Sequence, residues 1–461
     1  MHTILEPARE IPIIAEADVV VCGGGPGGFP AAIAAARHGA KTILIERYGF
    51  LGGLATAGLV APILAHTAAQ NSTAPIVEGI LREVTERMHA IGGAPSWEDT
   101  LDQWGIRFDA EALKLVLDEM AQEAGVQLML HTSISNVIMR GQVIDAVIVE
   151  NKSGRQAVAG KVFIDATGDA DIAHNAGAPT THGRAFDGLG ESMGSFFHLA
   201  GYDPIDEDRA RELREQIEHE MIDGRFHFYN AGFINTNAYH KDHAASNMTR
   251  FSGNSDVGAD MTKGEQSIRR DIWDLVRYLR ANVPEFANAY VQQTSPQIGP
   301  RESRQVVGPY ALTGRDVHHG TKFEDGIARG SWWIDIHCPL GHTYPVHLCV
   351  RECPRGSDCE YWAAEHENMS SRDELHPPDG DWYDIPYRSL LSVGVPNLLA
   401  SGRCISATHD GMAGARVMGT CIAIGQAAGT AAALAAAQGI APGEVDVEQL
   451  RAALREDGQL V

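Results

Sequence analysis

The sequence predicts an α/β protein: a parallel-sheet domain built from both chain ends, with an α+β domain inserted between them. Three observations carry that reading. A strand–helix–strand unit occupies residues 18–46, the size of a βαβ unit of about 30 residues. Between about Thr181 and Trp382 the chain becomes richer in His, Trp, Asn and Arg, and its apolar spacing turns irregular. After that stretch an apolar strand, a Gly-containing turn and an Ala-rich helix return. The expected division is 1–180 with 383–461 for the first domain and 181–382 for the insert.

The elements follow in order. Asp18–Val21 is a short apolar strand, and glycines cluster over positions 23–28 behind it. Phe29–His38 is Ala-rich and reads as a helix that ends near Gly39, and Lys41–Glu46 reads as the second strand. Asp109 is placed to cap a helix whose Leu113, Val116, Leu117 and Met120 share one face, with Gly125 as its stop. Strands are expected at Val126–Leu130, around Val137, at Val143–Val149 and at Val158–Ile164, with turns at Arg140-Gly141 and Ser153-Gly154. Asn397–Ala400 reads as a further buried strand before the Ala-rich helix. There is no internal repeat.

Composition narrows the class. Hydrophobic residues make up 44% and charged residues 21%, which excludes a disordered, fibrous or disulfide-dense chain. The 37 Lys and Arg face 60 Asp and Glu, a formal charge of -23. So acidic a surface repels phosphate backbones and anionic membranes, so no nucleic-acid partner is expected. Seven cysteines, an odd number, do not make a disulfide framework. Residues 417–445 carry Glu444 as their one charge but are mostly Ala and Gly. That is too weakly apolar for a membrane span, and a helix buried in protein is expected instead. With no basic-then-apolar leader at the N-terminus, the expected location is cytoplasmic.

The glycine cluster has the form G-x-G-x-x-G at Gly23, Gly25 and Gly28. Gly23 suits a tight strand-to-helix turn, Gly25 lets the backbone approach a pyrophosphate, and Gly28 lets helix and strand pack closely. The helix N-terminus behind them offers N–H groups and a positive dipole end to phosphates. Glu46 ends the next strand, where an acid accepts hydrogen bonds from a ribose. The motif alone does not choose between NAD and FAD. Two further strand ends carry small-residue turns, at Ile164–Asp169 and Ala400–Arg403, and a second Gly-rich loop runs over 50–58. Three such strand ends at one sheet edge suit a long cofactor in a Rossmann-like domain.

A set of longer blocks makes the likeness specific: GGGPGG, LIERYGFLGGLATAG, FIDATGDADIAHNAGA, PRESRQVVGPYALTGRDV, IPYRSLL and LLASGRCISATHDGMAGARVMGTCIAIGQAAG. In these the chain resembles the bacterial FAD-dependent oxidoreductase family, within the two-dinucleotide-binding-domain flavoproteins of the glutathione-reductase structural class. The resemblance runs nearly end to end. It implies FAD, with Gly23, Gly25, Gly28, Glu46 and Arg47 on the ADP half. It puts Gly53, Gly168, Asp169 and Gly402 along the ribityl and pyrophosphate. It turns Gly419, Thr420 and the start of the last long helix toward the flavin pyrimidine ring, where a helix N-terminus stabilises negative charge on a reduced flavin.

A flavin takes a hydride at N5, and the substrate O–H or N–H proton then needs a base. His409, just before the flavin-proximal helix, is the first candidate, with Asp410 beside it to orient the ring; the alternative is a structural His that orders the loop. Arg301 and Arg304 in PRESR and Tyr387 and Arg388 in IPYRS could bind a carboxylate or polarise a carbonyl. They could equally form an ion-pair network with Glu302, Asp316 or Asp384. Cys338, Cys349, Cys353 and Cys359, with His318, His319, His337, His342 and His347, invite a metal reading. Their spacing lacks C-x-x-C pairs, so no metal is expected. No second G-x-G-x-x-G serves NAD(P)H in the insert.

The expected function is an FAD-dependent dehydrogenase that moves a hydride between a C–OH or C–N bond of a small polar substrate and flavin N5. The electron acceptor is unknown, a quinone, a protein carrier or oxygen, and a homo-oligomer is left open. The alternatives are a flavin electron-transfer subunit with an iron–sulfur cluster on Cys349, Cys353 and Cys359, or a flavin monooxygenase. A nucleotide-binding module without flavin would leave the later blocks without a reason.

Overall fold

The structure is a computed structural model that describes all residues except 1, 2, 6, 71, 186, 233–237, 241, 338 and 340–374. Its main sheet holds β1 (Ile13–Cys22), β2 (Thr42–Ile45), β3 (Gln127–Met129), β4 (Ser133–Arg140), β5 (Val143–Asn151) and β6 (Gly154–Asp165) in the order β3-β2-β1-β6-β5-β4. The seventh strand, Leu398–Ala400, also pairs with β6 and is called β14 after seven strands of smaller sheets. Those are β7 (Thr180–His182), β8 (Phe197–Ala200), β9 (Ala244–Ser246), β10 (Tyr290–Thr294), β11 (Arg304–Val306), β12 (Gly326–Gly330) and β13 (Tyr383–Pro386).

Val19–Cys22 and the whole of β2 are buried, the continuous apolar run of a strand covered on both faces. β1 runs parallel to β2 and β6, and β14 parallel to β6, while β4 and β5 add antiparallel edge strands. The first helix spans Phe29–Arg37 with Pro30 in its opening turn, where the missing N–H costs nothing. The helix Ala110–Ala124 is capped as expected. Asp109 accepts from Glu111 N, and Gly125 closes the helix at φ 78°. The long helix Met418–Gln438 is apolar all round. By length and composition it could cross a membrane, but 83% of its most apolar window is buried inside the protein. It packs on the first helix, on β6 and on β12 as a core helix.

β6 changes partner along its length. Residues 154–159 pair with β5, and Phe163–Asp165 pair with β14. Asn397 fills the fork. Its Oδ1 accepts from Ile144 N at 3.0 Å, and its Nδ2 donates to Ile144 O and Lys161 O at 2.9 and 3.1 Å. Asn397→Ala removes all three bonds and strands partly buried backbone groups. We expect a loss of about 2 kcal/mol, read as a lowered urea midpoint with an unchanged m-value.

Two apolar cores form. The larger one surrounds the main sheet and the long helix. The smaller lies within residues 193–298, where Phe197, Leu213, Ile217, Ile272, Leu275 and Phe286 meet. Val306, Leu312, Val317, Ile327 and Ile334, inside the expected insert, pack into the larger core. The segment 181–382 therefore contributes to both.

Candidate functional site

Register aligns the ends of four parallel strands. Cys22 lies beside Ile45 and Asp165, and Asp165 lies beside Ala400. The turns that leave these strands therefore share one rim, outside the carboxyl ends of the sheet. A cleft of about 1190 Å³, its open mouth included, lies on that rim. Gly23, Gly25, Glu46, Arg47, Gly53, Gly168, Asp169 and Gly402 all line it.

Gly23 takes φ +102°, and a Cβ there would sit 2.5 Å from Ala166 O. Gly28 does not line the cleft: a Cβ on it would come 1.8 Å from Gly23 O, so its role is helix-to-strand approach. A Cβ on Gly25 would meet no protein atom closer than 3.6 Å, so the room left there opens on the cleft. Glu46 is buried; its Oε2 accepts from Gly24 N at 2.7 Å and its Oε1 from Tyr48 N at 2.9 Å. Each oxygen keeps a lone pair for a hydroxyl. Arg403 Nη1 is buried on the cleft wall with no hydrogen-bond partner among the described residues. A glycine-built hollow, a carboxylate with spare lone pairs and a spare guanidinium N–H fit a dinucleotide with its ribose and pyrophosphate.

The far turn is tied down by its own side chains. Asp165, buried, accepts from Thr167 Oγ1 at 2.7 Å, from Ile172 N at 2.9 Å and from Ala173 N at 3.0 Å. Cys404 Sγ accepts from Gly168 N at 3.1 Å. Arg304 donates to Asp169 O at 2.9 Å and pairs with Asp171 at 2.5 Å. It braces this turn from behind and lines no cavity described here. Burial, with Asp169 and Asp165 nearby, pushes the Asp171 carboxyl up to about 6. Arg47 donates to Gln297 Oε1 at 2.5 Å, a link to the segment that leads to Arg301.

The long helix meets the cleft with Met418 and Cys421, one step out of phase with Gly419 and Thr420. A Cβ on Gly419 would lie 2.3 Å from Leu64 O, so that residue is pressed against backbone. Thr420 is buried, its hydroxyl without a hydrogen-bond partner among the described residues. Burial pushes the Cys421 thiol up to about 12, so it is no thiolate nucleophile.

A second chamber adjoins the cleft, with Leu54, Arg403, Arg416 and Met418 common to both walls. Its own lining includes Leu64, Trp104, Phe196, Arg301, Trp332, Asp335 and His337. Arg416 pairs with Glu191 at 3.0 Å and lies 3.5 Å from Asp335. Burial alone would depress Arg416, but Glu191 and Asp335 hold it above its ordinary value. Burial and then Arg301 depress His337 to about 3, so the ring is neutral at neutral pH. Its Nε2 lies 3.4 Å from Asp335 Oδ2, and its Nδ1 is buried without a hydrogen-bond partner among the described residues. Burial raises the Asp335 carboxyl, yet nearby positive charge outweighs it and holds the group well below the usual carboxylate range. The His337 ring lowers it most, by charge and by hydrogen bond, and Arg416 and Arg301 add to that.

Of the expected catalytic residues, Arg301 alone lines this chamber. His409 is buried, and its Nδ1 lies 2.6 Å from Glu302 Oε2, an oxygen that also accepts from Glu191 N at 3.0 Å. It belongs to the ion network beneath the chamber and does not reach the cavity. Asp410 turns to Gly411 N at 2.9 Å and does not orient the His409 ring as expected. Tyr387 is buried and donates to Pro442 O at 2.7 Å. Arg388 pairs with Asp325 at 2.7 Å and lies over the Tyr310 ring. Neither lines the cleft or the chamber, a correction to their expected place. Arg403, Arg416, Glu191 and Asp335 were not singled out from the sequence; Arg416 sits in the GARVMG block and could have been. Cys338, Cys349, Cys353, Cys359, His342 and His347 lie outside the described residues.

A family model described as FAD dependent oxidoreductase matches residues 18–454. A dihydrolipoyl dehydrogenase of Trypanosoma brucei brucei is 58% identical over 45 residues, 10% of this chain and 9% of that protein. A thiamine thiazole synthase of Methanococcus vannielii is 27% identical over 169 residues, 34% of this chain and 58% of that protein. The matches thus span well under two thirds of these curated relatives. A geranylgeranyl bacteriochlorophyll reductase-like protein of Thermoplasma acidophilum aligns over 96% of this chain and 84% of its own, at 13% identity and a TM-score of 0.44.

Proposed function

The chain belongs to the FAD dependent oxidoreductase family, and we propose that it works as a dehydrogenase, taking a hydride from a C–OH or C–N carbon of a small polar substrate to flavin N5. The observation that carries this reading is the second chamber, whose walls share Leu54, Arg403, Arg416 and Met418 with the cleft. A molecule held there lies against the inner end of whatever fills the cleft. Bound FAD supplies a two-electron acceptor. The turn at Gly23–Gly28 and the Arg403 guanidinium hold the phosphates, and Glu46 holds the ribose. His337, kept neutral and with no described residue bonded to Nδ1, takes the substrate's O–H or N–H proton while Asp335 orients the ring. We assign this role to His337 rather than to His409.

Residues 1–180 with 383–461 then carry the cofactor, and the substrate side is shared: Phe196, Arg301 and His337 from 181–382 face Leu54, Leu64, Trp104 and Met418 from the chain ends. We keep the glutathione-reductase structural class as our assignment among flavoproteins, on the N-terminal βαβ unit and the strand-end turns.

The experiment is an anaerobic screen. The purified holoenzyme is mixed with alcohols, 2-hydroxy acids, amines and amino acids, and bleaching of the flavin band is followed. At least one class should bleach it. A flavin that stays oxidised with every class, yet is reduced by dithionite, overturns the dehydrogenase reading.

Glu46→Gln tests the cofactor side. The amide would present an N–H to Gly24 N or Tyr48 N, where the carboxylate accepts a bond. A lost charge-assisted bond is worth about 1.5–3 kcal/mol, so FAD affinity should fall by roughly 10- to 100-fold. Titration of apoprotein with FAD, followed by flavin fluorescence, measures it.

A further inference from the structure

We propose that the second chamber recognises a carboxylate on Arg301, so that the substrate is a monocarboxylate whose apolar or aromatic body lies against Trp104, Trp332 and Phe196. The inference rests on the reading of this chamber as the substrate side of the flavin.

Three guanidiniums line the chamber. Arg416 has Glu191 and Asp335, and Arg403 has Asp169 at 3.5 Å. Arg301 forms no ion pair among the described residues; its Nη1 donates to Ser192 O at 2.6 Å. Backbone fixes where it stands. Gly194 and Gly299 exchange hydrogen bonds of 3.1 and 2.7 Å just before it in the chain. The guanidinium lies over the Tyr229 ring, 5.8 Å from its centroid. Burial lowers the Arg301 pKa, with Arg416 adding to the effect and Tyr229, Glu191 and Asp335 opposing it. Beyond the bond to Ser192 O the Arg301 fork has no direct carboxylate partner among the described residues, and a planar fork suits a carboxylate bidentately.

The rest of the wall sets the body of the ligand. Trp104 and Trp332 stand 5.8 Å apart by ring centroids, and Leu54, Leu64 and Phe196 continue the apolar surface. A charge on the part of the ligand against these rings would lose its hydration to an apolar surface. Trp332 Nε1 is buried with no hydrogen-bond partner among the described residues and offers one N–H to a neutral oxygen. One carboxylate, one neutral polar group and an apolar remainder match that set.

The test uses probes that do not react. The holoenzyme is titrated with benzoate, phenylacetate and 3-methylbutanoate, and with the matching amides. Binding is read from the shift of the flavin band and from calorimetry. At least one acid should bind tenfold or more tightly than its amide. Arg301→Met should weaken the acids by 10- to 100-fold and leave the amides within about twofold. Arg301→Lys keeps the charge and should retain part of the preference, which covers the case in which Arg301→Met loses FAD or fails to fold. Equal binding of acids and amides, failure of every acid to bind, or an equal loss of both classes in Arg301→Met overturns the proposal. Because no probe is oxidised, the result stands apart from the screen above. Carboxylate-selective binding with no bleaching by any class would keep this inference and remove the dehydrogenase reading.

Discussion

Gly28→Ala is expected to leave the purified protein without flavin. The new Cβ would lie 1.8 Å from Gly23 O, 2.8 Å from Gly23 C and 3.2 Å from Ala166 Cβ. The first two are backbone atoms of the turn that lines the cleft, so no side chain can swing aside. Gly28 N also donates to Gly25 O at 2.8 Å, and Ala32 N donates to Gly28 O at 2.9 Å, which ties the clash to the helix start. Relief must come by lifting the first helix off β1, which opens the phosphate turn. Overpacking a core side chain costs about 1–3 kcal/mol; a clash with backbone should cost at least the upper figure. FAD affinity should fall more than a hundredfold, as about 3 kcal/mol requires. The flavin-to-protein absorbance ratio after purification reads it out. Gly39→Ala is the control: φ is +84° and nothing lies within 4 Å of the new Cβ. It should cost about 1 kcal/mol and keep its flavin. A Gly28→Ala protein that purifies yellow with normal thermal stability would show that the turn is not built as described.

His337→Asn carries the second large effect. Removal of a positioned base slows the proton-coupled step by about 10²- to 10⁴-fold. Stopped-flow reduction of the flavin by the first substrate that bleaches it should show that loss, with flavin content and melting temperature near those of the parent. A ring with a pKa of about 3 is a weak base when alone. One of its depressing causes is Arg301, so a carboxylate seated on Arg301 removes part of the repulsion and strengthens the base once substrate is bound. His409→Asn should behave in the opposite way. The buried Glu302 loses its imidazole partner at 2.6 Å, and stability should fall by about 3 kcal/mol with less than a tenfold change in flavin reduction. If the two variants exchange these phenotypes, the base has been assigned to the wrong histidine.

The cofactor side of this site was legible in the sequence because its signals are local. Each turn follows a strand that reads as apolar, and the small residues sit within a few positions of the strand end, as at Cys22–Gly28 and Asp165–Asp169. Parallel pairing then delivers the turns to one rim without further information. The substrate side had no such signal. Arg416 meets Glu191 across 225 positions of sequence, and the chamber gathers Leu54, Trp104, Phe196, Arg301 and His337 from separate segments. His409 looked well placed because it precedes the long helix, yet Glu302, 107 positions earlier, draws its ring into the network below. The phase of the long helix was unreadable for another reason. A helix apolar on every side gives no periodicity from which to choose Met418 and Cys421 over Gly419 and Thr420.

The fork in β6 also has a consequence for biogenesis. During synthesis the N-terminal part of the main sheet leaves the ribosome first, and Phe163–Asp165 then presents one bare strand edge. The strand that covers it, Leu398–Ala400, is translated only after the whole intervening segment. Ser401–Arg403, which complete the cleft rim, arrive with it. A nascent chain therefore holds an open edge, a template for unwanted pairing, until that late strand docks. Cofactor capture belongs to the last stage of assembly, and a chain that has bound its flavin is one in which the late strand has found its place.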